Sequence, residues 1–215
     1  MIADEIRKKL QNIVRGTLLE GQEDHCTTIR NLLSESFETG PTVKREFESR
    51  SIIKEKQAVF LKSHAERANL WLPSLPMDSQ YLTQGGEAKI YLAADSRNVI
   101  KVNDAIYYAT WTEYFNSLVI HNLLFTNTTY SLLGFTEING SLCVLLQQQF
   151  IEGEQAELED IKDLLTFNGF ENTRRQDYYN KEFGLVLEDM HDENVIVKED
   201  VLFFIDTVFY VMGDK

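Results

Sequence analysis

The sequence predicts an α+β fold in which a helical N-terminal part precedes an antiparallel sheet packed against one long helix. Three observations support this prediction. Apolar residues recur at helical spacing through residues 1–72, short strand-like runs joined by tight turns begin near residue 80, and one long helical pattern separates the third run from a hairpin. Strands joined by such short turns have no room for parallel crossovers, so the sheet is expected to be antiparallel.

The composition fits a protein that buries a core of its own. The chain has 215 residues, 43% of them hydrophobic, which is enough for one large domain or a domain with an appendage. A net charge of −13 argues against a nucleic-acid partner, because a phosphate backbone would be repelled over most of the surface. The sequence leaves the oligomeric state open.

The expected location is the cytoplasm. The two cysteines, Cys26 and Cys143, lie far apart and form neither a CxxC motif nor a disulfide framework, as is usual in a reducing compartment. The N-terminal segment MIADEIRKKLQNIV is amphipathic and lacks the apolar core of a signal peptide. No apolar run approaches the roughly 18 residues that span a bilayer. We therefore expect no membrane partner.

Residues 1–75 are predicted to form a helical N-terminal extension. The first helix follows from apolar residues at helical spacing, Ile2, Ile6, Leu10, Ile13 and Val14. Two further helices are expected at about 27–37 and 44–72. The stretch WLPSLPMDSQ then carries two of the three prolines, which marks a boundary or a rigid turn.

Residues 80–153 are predicted to form the sheet and its helix. The runs YLTQGG, AKIYLAAD and NVIKVN are expected to be three strands, and a helix is expected from about Ala105 to Phe125. Two more strands, YSLLGFTEI and SLCVLLQQQF, are joined by Asn139-Gly140, the strongest short hairpin signal in the chain.

Residues 154–215 are predicted to form a smaller unit. It contains a helix candidate at Glu157 to Leu165 and two strand-like runs, NVIVKED and VLFFIDT, joined by a short turn.

Isolated polar residues in apolar surroundings are the candidate functional groups. A lysine inside the apolar run NVIKVN, Lys101, is costly to bury unless it is paired, although it could also face water. Asp189 precedes Asn194 by five residues, and Asp206 ends the apolar run VLFFID. The alternative for Asp189 and Asn194 is a solvated turn. A transition-metal site at 191–193 is disfavoured, because one histidine beside two acids lacks the spacing of helical zinc ligands.

Five ordered features make the chain resemble the protein kinase-like fold, and more narrowly the small kinase-like domains of bacterial polyvalent proteins from mobile elements. The features are a glycine turn between strands, a lysine on the third strand, a glutamate on the next helix, Asp-x-x-x-x-Asn, and Ile-Asp after the following strand. The resemblance covers about residues 80–210. It implies an antiparallel-sheet N-lobe with one packed helix at 80–153, a much reduced C-lobe at 154–215, and a helical N-terminal extension.

The resemblance also implies ATP and Mg²⁺ as cofactors. It makes Asp189 the base that acts on an acceptor hydroxyl, and Asn194 and Asp206 the magnesium ligands. The residues implied to contact the nucleotide are Gly85 and Gly86 at the phosphates, Lys101 at the α- and β-phosphates, and the backbone of Gln149, Phe150 and Ile151 at the adenine.

The implied partner of Lys101 is Glu113, the only acid between Asp104 and Phe125. Two interpretations of Glu113 are open. A helix that starts near Asp104 places Glu113 in its interior, where it pairs with Lys101. Alternatively, Thr110-Trp-Thr-Glu113 matches a capping box, which makes the glutamate part of the helix start. The apolar pattern extends back towards Asp104, which favours the first interpretation.

Departures from the kinase pattern leave two functions open. Only two glycines replace the usual three, and Thr-Val follows Asp206 where Phe-Gly is usual. Nine residues follow Asp206, so no activation segment is expected. The first function is an ATP-dependent phosphotransferase that acts on an unidentified hydroxyl acceptor, a small molecule or a protein. The second is a nucleotide-binding or catalytically silent interaction module of a mobile genetic element.

Overall fold

The computed structural model describes residues 2–20, 24–36, 50–76, 78–86 and 88–212. The helices are α1 (Asp4–Val14), α2 (His25–Ser36), α3 (Arg50–Arg67), α4 (Trp111–Leu124) and α5 (Leu158–Phe167). The strands are β1 (Gln80–Gln84), β2 (Ala88–Leu92), β3 (Asn98–Asn103), β4 (Ser131–Ile138), β5 (Ser141–Gln149), β6 (Glu154–Gln155), β7 (Phe170–Arg174), β8 (Asp177–Asn180), β9 (Leu185–Glu188), β10 (Val195–Lys198), β11 (Val201–Phe204) and β12 (Val208–Val211). The predicted residues 37 and 44–49 of the second and third helices lie outside the described residues. No helix in the described ranges is long and apolar enough to cross a membrane.

The predicted antiparallel sheet is confirmed. Its five strands have the order β1-β2-β3-β5-β4, and every neighbouring pair is antiparallel. The turn between β4 and β5 has positive φ at both central residues, 52° at Asn139 and 80° at Gly140, as a type I′ hairpin requires. Asp95 forms the turn between β2 and β3 by accepting the N–H groups of Arg97 and Asn98.

One face of this sheet packs on α4 in a core that the N-terminal helices share. Phe115 and Ile120 of α4 are fully buried beside Phe135 of β4. The same cluster contains Leu10 of α1 and Leu33 of α2, both with no exposed surface. The division at residue 75 stays a prediction, but α1, α2 and α3 bury their apolar faces in the core that supports the sheet.

A buried arginine ties the first two helices to α4. The guanidinium of Arg30 donates to the carbonyl of Thr17 and, at 3.5 Å, to that of Ile13, both at or just beyond the C-terminal end of α1. It also donates to Oδ1 of Asn116 on α4 over 2.9 Å. Burial lowers the pKa of Arg30 to about 10. The carbonyls stabilise the buried positive charge. In return, the guanidinium supplies N–H donors at the end of α1, where carbonyls lack partners within the helix.

The C-terminal part contains more sheet than the sequence predicted. Helix α5 and the strands β10 and β11 confirm the predicted helix and the two strand-like runs. The sequence did not indicate the four-stranded antiparallel sheet β12-β9-β8-β7. Its strands are four or five residues long, and the exposed residues of β7 are the polar run ENTR. Such a short polar run has no alternating pattern to mark it as a strand.

A glycine sets the distance between the end of the five-stranded sheet and the C-terminal strands. A Cβ atom on Gly153 would lie 2.4 Å from the backbone oxygen of Val197 and 2.6 Å from Cγ2 of Ile196. Only a glycine at position 153 lets β10 approach this closely. Strand β6 begins at the next residue and pairs with β10. The connection after β5 therefore passes tightly against the strand that follows Asn194.

Candidate active site

A cleft of about 900 Å³ lies between the five-stranded sheet and the C-terminal strands. Nine of the ten residues singled out in the sequence line it: Gly85, Gly86, Lys101, Gln149, Phe150, Ile151, Asp189, Asn194 and Asp206. The tenth, Glu113, is absent from the lining. Residues about 120 positions apart in the chain thus meet in one place.

Lys101 is buried at the centre of this cleft. Its side chain is 9% exposed, and its ammonium group lies 3.5 Å from Oδ1 of Asp206. The same group donates to the backbone carbonyl of Ile205 over 2.6 Å and to the hydroxyl of Tyr130 over 3.3 Å. Two hydrogen-bond acceptors and one nearby carboxylate explain why a charge is tolerated inside an apolar strand. The alternative of a lysine that faces water is wrong.

The predicted helix start near Asp104 is wrong, because α4 begins at Trp111. Thr110 is the N-cap, and its hydroxyl accepts the N–H of Glu113 over 3.1 Å. The carboxylate of Glu113 accepts the N–H of Ala109 over 3.1 Å. This is a variant of the capping box, the second interpretation of Glu113: the carboxylate accepts the N–H of the residue before the cap and not that of Thr110 itself. The predicted ion pair with Lys101 is not formed here, since the ion pair of Lys101 among the described residues is with Asp206.

Tertiary contacts from α3 explain why α4 starts late. The side-chain oxygen of Gln57 accepts the N–H of Trp111 over 2.8 Å, and its amide nitrogen donates to the hydroxyl of Thr112. Lys54 donates to the carbonyls of Ala105 and Tyr108, which holds the preceding segment outside the helix. Burial lowers the pKa of the Lys54 ammonium group. Sequence periodicity contains no information about a cap supplied by another helix.

Asp189 occupies a constrained turn directly after β9. Its φ is 61°, in the left-handed region that non-glycine residues rarely adopt. The turn is held by the N–H of Asp189, which donates to Oδ1 of Asp177, and by that of Met190, which donates to the carbonyl of Gln176. The carboxylate is 63% exposed and lies 2.5 Å from Nε2 of His191. A strained, supported turn that presents an accessible carboxylate to a cleft is typical of a functional position.

Asn194 connects the turn of Asp189 to that of Asp206. Its side-chain nitrogen donates to the carbonyl of Asp189 over 2.7 Å. Its own carbonyl accepts the N–H groups of Ile205 over 2.9 Å and Asp206 over 3.4 Å. The spacing of five residues between Asp189 and Asn194 therefore has a structural reason. It leaves the side-chain oxygen of Asn194 as the atom with ligand character.

The glycine turn and the segment after β5 are at the rim of the cleft. Among the described residues, a Cβ on Gly85 would meet no atom within 4 Å, and one on Gly86 would meet only the hydroxyl of Tyr107 at 3.5 Å. Neither glycine has positive φ. After β5, the N–H of Phe150 donates to the carbonyl of Arg97. In an antiparallel ladder this pairing directs the backbone groups of Gln149 away from β3.

Sequence reasoning missed a buried polar group beside Lys101. It consists of His121 on α4, Thr128, Tyr130, Gln148 and Thr207, all under 10% exposed. The carbonyl of Thr128 accepts from Nε2 of His121 over 2.8 Å and from the side-chain nitrogen of Gln148 over 2.7 Å. The available signal was weak: a histidine in an apolar helix and a tyrosine before an apolar strand both read as ordinary core residues.

The opposite wall of the cleft is acidic. Asp177, Glu188, Asp189 and Glu193 line it together with Asp206. Burial raises the pKa of Glu188, and the neighbouring Asp177 and Asp189 raise it further. Among the described residues, no group of three or more histidine, cysteine, aspartate or glutamate side chains is arranged to hold a metal ion.

The fold and the cleft define a kinase-like domain. The sequence profile of a family described as serine/threonine/tyrosine kinase found in polyvalent proteins matches residues 54–213, more than half of the chain. The chain therefore belongs to this family, and the predicted resemblance is confirmed. The match begins at Lys54 inside α3, so it includes the helix that caps α4. No curated protein and no solved structure matches the chain significantly.

Proposed function

We propose that the protein is an ATP-dependent phosphotransferase that uses Mg²⁺ and transfers a phosphoryl group to a hydroxyl acceptor. The observation that carries the proposal is the meeting of Lys101, Asp189, Asn194 and Asp206 in one cleft. Phosphoryl transfer needs little covalent chemistry from the protein, so its requirements are position and charge. These four side chains supply one cation, one accessible carboxylate and two oxygen ligands.

The nucleotide would lie under the sheet. The carbonyl of Gln149 and the N–H of Ile151 are the proposed adenine contacts, because the N–H of Phe150 is already bonded to Arg97. Lys101 would hold the α- and β-phosphates, and the open space at Gly85 and Gly86 would admit phosphate oxygens close to the backbone. The openness at Gly85 supports this, since no described residue lies close enough to a Cβ there to require a glycine.

Asp189 is the proposed base. Its carboxylate would take the proton of the acceptor hydroxyl while the acceptor oxygen bonds to the γ-phosphorus. The bond from that phosphorus to the bridging oxygen breaks, and ADP leaves with the electron pair. The exposure of the carboxylate, 63%, leaves room for an acceptor beside it. His191, 2.5 Å away, would hold the orientation of the carboxylate.

The residues present fit magnesium. A carboxylate oxygen of Asp206 and the amide oxygen of Asn194 are hard ligands, and Mg²⁺ commonly takes one or two protein oxygens and completes its shell with phosphates and water. The hydrogen bonds from the Ile205 and Asp206 backbone to Asn194 hold the two ligand loops together. When bound, the ion would neutralise charge on the transferred phosphoryl group.

The first test is binding. Mg-ATP at 100 times its dissociation constant is expected to stabilise the folded protein by about 2.7 kcal/mol. The resulting rise in melting temperature should be larger for Mg-ATP than for ATP with a chelator. The same measurement with Mg²⁺ alone is the control. No shift at millimolar Mg-ATP would contradict the nucleotide site.

The second test separates turnover from binding. Asp189→Asn should abolish transfer and leave Mg-ATP binding nearly intact, because the base acts only when the acceptor attacks; loss of a positioned base costs about 10²–10⁴-fold in rate. Asp206→Asn should weaken Mg-ATP binding itself. If the wild type binds Mg-ATP but shows no hydrolysis, self-modification or transfer to a broad acceptor panel, a catalytically silent interaction module is the better description.

A further inference from the structure

The hydroxyl of Tyr130 bridges Lys101 and the segment that carries Asp206. Lys101 donates to this oxygen over 3.3 Å, and its ammonium group lies 5.2 Å from the centroid of the tyrosine ring. The hydroxyl lies 3.0 Å from the carbonyl of Ile205. A lysine only donates, so the phenolic proton is directed to the segment of Asp206: the carbonyl of Ile205 is the nearer acceptor, and Oδ1 of Asp206 lies at 3.5 Å. Both hydrogen-bonding roles of the hydroxyl are therefore used at the site.

We propose that Tyr130, rather than Glu113, is the residue that positions Lys101 and the Asp206 loop. The proposal rests on the phosphotransferase function above, since it assigns how the lysine of that site is held. It makes Tyr130 a positioning residue: it does not touch the substrate but fixes the groups that do.

Helix α4 holds Tyr130 in place through its backbone. The side chain of Asn122 donates to the carbonyl of Tyr130 over 2.9 Å and accepts its N–H over 2.7 Å. These two hydrogen bonds fix the backbone of Tyr130 against α4. Helix α4 thus sets the position of Lys101 indirectly, because Asn122 holds Tyr130 and the Tyr130 hydroxyl accepts from Lys101.

The next residue of the helix supports the other side of the site. The ring of His121 lies 4.5 Å from the ring of Tyr130, between centroids. Its Nε2 donates to the carbonyl of Thr128, because a carbonyl can only accept, and its Nδ1 therefore accepts the hydroxyl proton of Thr207 over 2.7 Å. Thr207 directly follows Asp206. Two consecutive residues of α4 therefore support the site. His121 holds Thr207, next to the proposed metal ligand Asp206, and Asn122 holds Tyr130, the partner of Lys101.

Glu113 is at the wrong end of the helix for this role. It lies eight residues before His121, about 12 Å along the helix axis at 1.5 Å per residue. Its carboxylate and N–H are both used in the capping box. Gln57 fixes the same helix end by accepting the N–H of Trp111. A Lys101–Glu113 pair would need these contacts to break and the helix to shift.

The chemical state of Tyr130 suits a fixed donor. Burial raises the pKa of its phenol well above the usual value, and the charge of Asp206 raises it further. A neutral phenol has the proton that the hydrogen bond to Ile205 requires.

The test compares two substitutions that remove competing partners of Lys101. Tyr130→Phe keeps the ring and removes only the hydroxyl, whereas Glu113→Gln keeps an acceptor for the capping box and removes only the charge. We expect Tyr130→Phe to lower phosphoryl transfer about 10-fold or more; 10-fold corresponds to about 1.4 kcal/mol, the scale of a hydrogen bond to a charged group. Glu113→Gln should stay close to wild type, and Tyr179→Phe on β8 is the matched tyrosine control.

A second measurement reports on the lysine itself. Competitive acetylation by acetic anhydride, read by mass spectrometry, gives the reactivity of Lys101 relative to the exposed Lys162. Reactivity of Lys101 should rise in Tyr130→Phe and be unchanged in Glu113→Gln and Tyr179→Phe. The reverse pattern between the first two variants would overturn the proposal. This readout does not need turnover, so it remains decisive if the wild type proves not to transfer phosphate.

A structure of the wild type with Mg²⁺ and a non-hydrolysable ATP analogue covers the case in which Tyr130→Phe fails to fold. The proposal expects Lys101 within hydrogen-bonding reach of the Tyr130 hydroxyl. A Lys101–Glu113 ion pair within 4 Å, with Tyr130 moved away, would refute it. Failure of the analogue to bind at all would count against the phosphotransferase and not against the role of Tyr130; the same two Lys101 contacts in an experimental structure of the unliganded wild type then decide it.

Discussion

The buried imidazole of His121 should make the stability of the fold depend on pH. Burial lowers the pKa of His121 to about 3, whereas a histidine in an unfolded chain titrates near 6.5. Below pH 6.5 the unfolded chain takes up a proton that the folded protein refuses. The stabilisation is therefore complete above about pH 6.5 and is lost as the pH falls towards 3.

The magnitude follows from the two pKa values. Between pH 7 and pH 5 the unfolded histidine becomes protonated and the folded one does not, so the free energy of unfolding should fall by roughly 2 kcal/mol at 1.36 kcal/mol per pH unit below 6.5. Urea unfolding at pH 7, 6 and 5 measures it. His121→Gln keeps one amide donor near the Thr128 carbonyl but cannot titrate, so its pH dependence should be flatter by that amount even though its stability at pH 7 is lower.

Other titrating groups do not obscure the comparison. Burial also lowers the pKa of His64, which acts in the same direction, and the raised pKa of Glu188 acts in the opposite direction. Both are present in wild type and variant, so they cancel in the difference. His25→Gln, at an exposed position, is the control. Equal pH dependence in wild type and His121→Gln, or an NMR titration of the His121 ring near pH 6 in the folded protein, would refute the reasoning.

Three further substitutions test other features of the structure. Gly85→Ala should weaken Mg-ATP binding in calorimetry without changing the melting temperature, because a Cβ there meets none of the residues that the structure describes; equal affinity would argue against close phosphate approach. Gly153→Ala should destabilise by about 1–3 kcal/mol in urea unfolding, since the added Cβ would lie 2.4 Å from the carbonyl oxygen of Val197. Arg30→Met should cost roughly 1–3 kcal/mol in the same urea assay, because it removes the donor to the carbonyl of Thr17 and to Oδ1 of Asn116; a neutral result would show that water replaces the guanidinium.

Much of the sheet could be predicted because its signals are local. The alternation and tight turns of residues 80–149 identify five strands, and Asn139-Gly140 fixes one hairpin through its own backbone preference. Lys101 and Asp206 are conspicuous for the same reason: the first lies inside an apolar run and the second ends one, where an unpaired charge is costly. Asp189 is conspicuous through its spacing of five residues from Asn194. Their order along the chain was enough to predict that they share a site.

The start of α4 shows where local information fails. The apolar pattern extends back to Ala105, but the helix begins at Trp111, because Gln57 and Lys54 of α3 bind the backbone on either side of that start. The role of Glu113 changes with that start, from an interior residue to part of a cap. A contact between residues more than 50 positions apart leaves no trace in helical periodicity.

The sequence by itself therefore determined the succession of strands and helix along residues 80–149, the class of the fold, and four polar residues of the cleft, Lys101, Asp189, Asn194 and Asp206, because each depends on neighbours within one strand, turn or run. Only the tertiary structure decided which other residues hold these polar side chains in position. Lys101 could pair with any acceptor that the fold brings near, and packing of α4 brings the Tyr130 hydroxyl and Asp206 to its ammonium group. The hydrogen-bond partner of a buried side chain depends on how close segments that are far apart in sequence come to it. That closeness is set only when the chain packs.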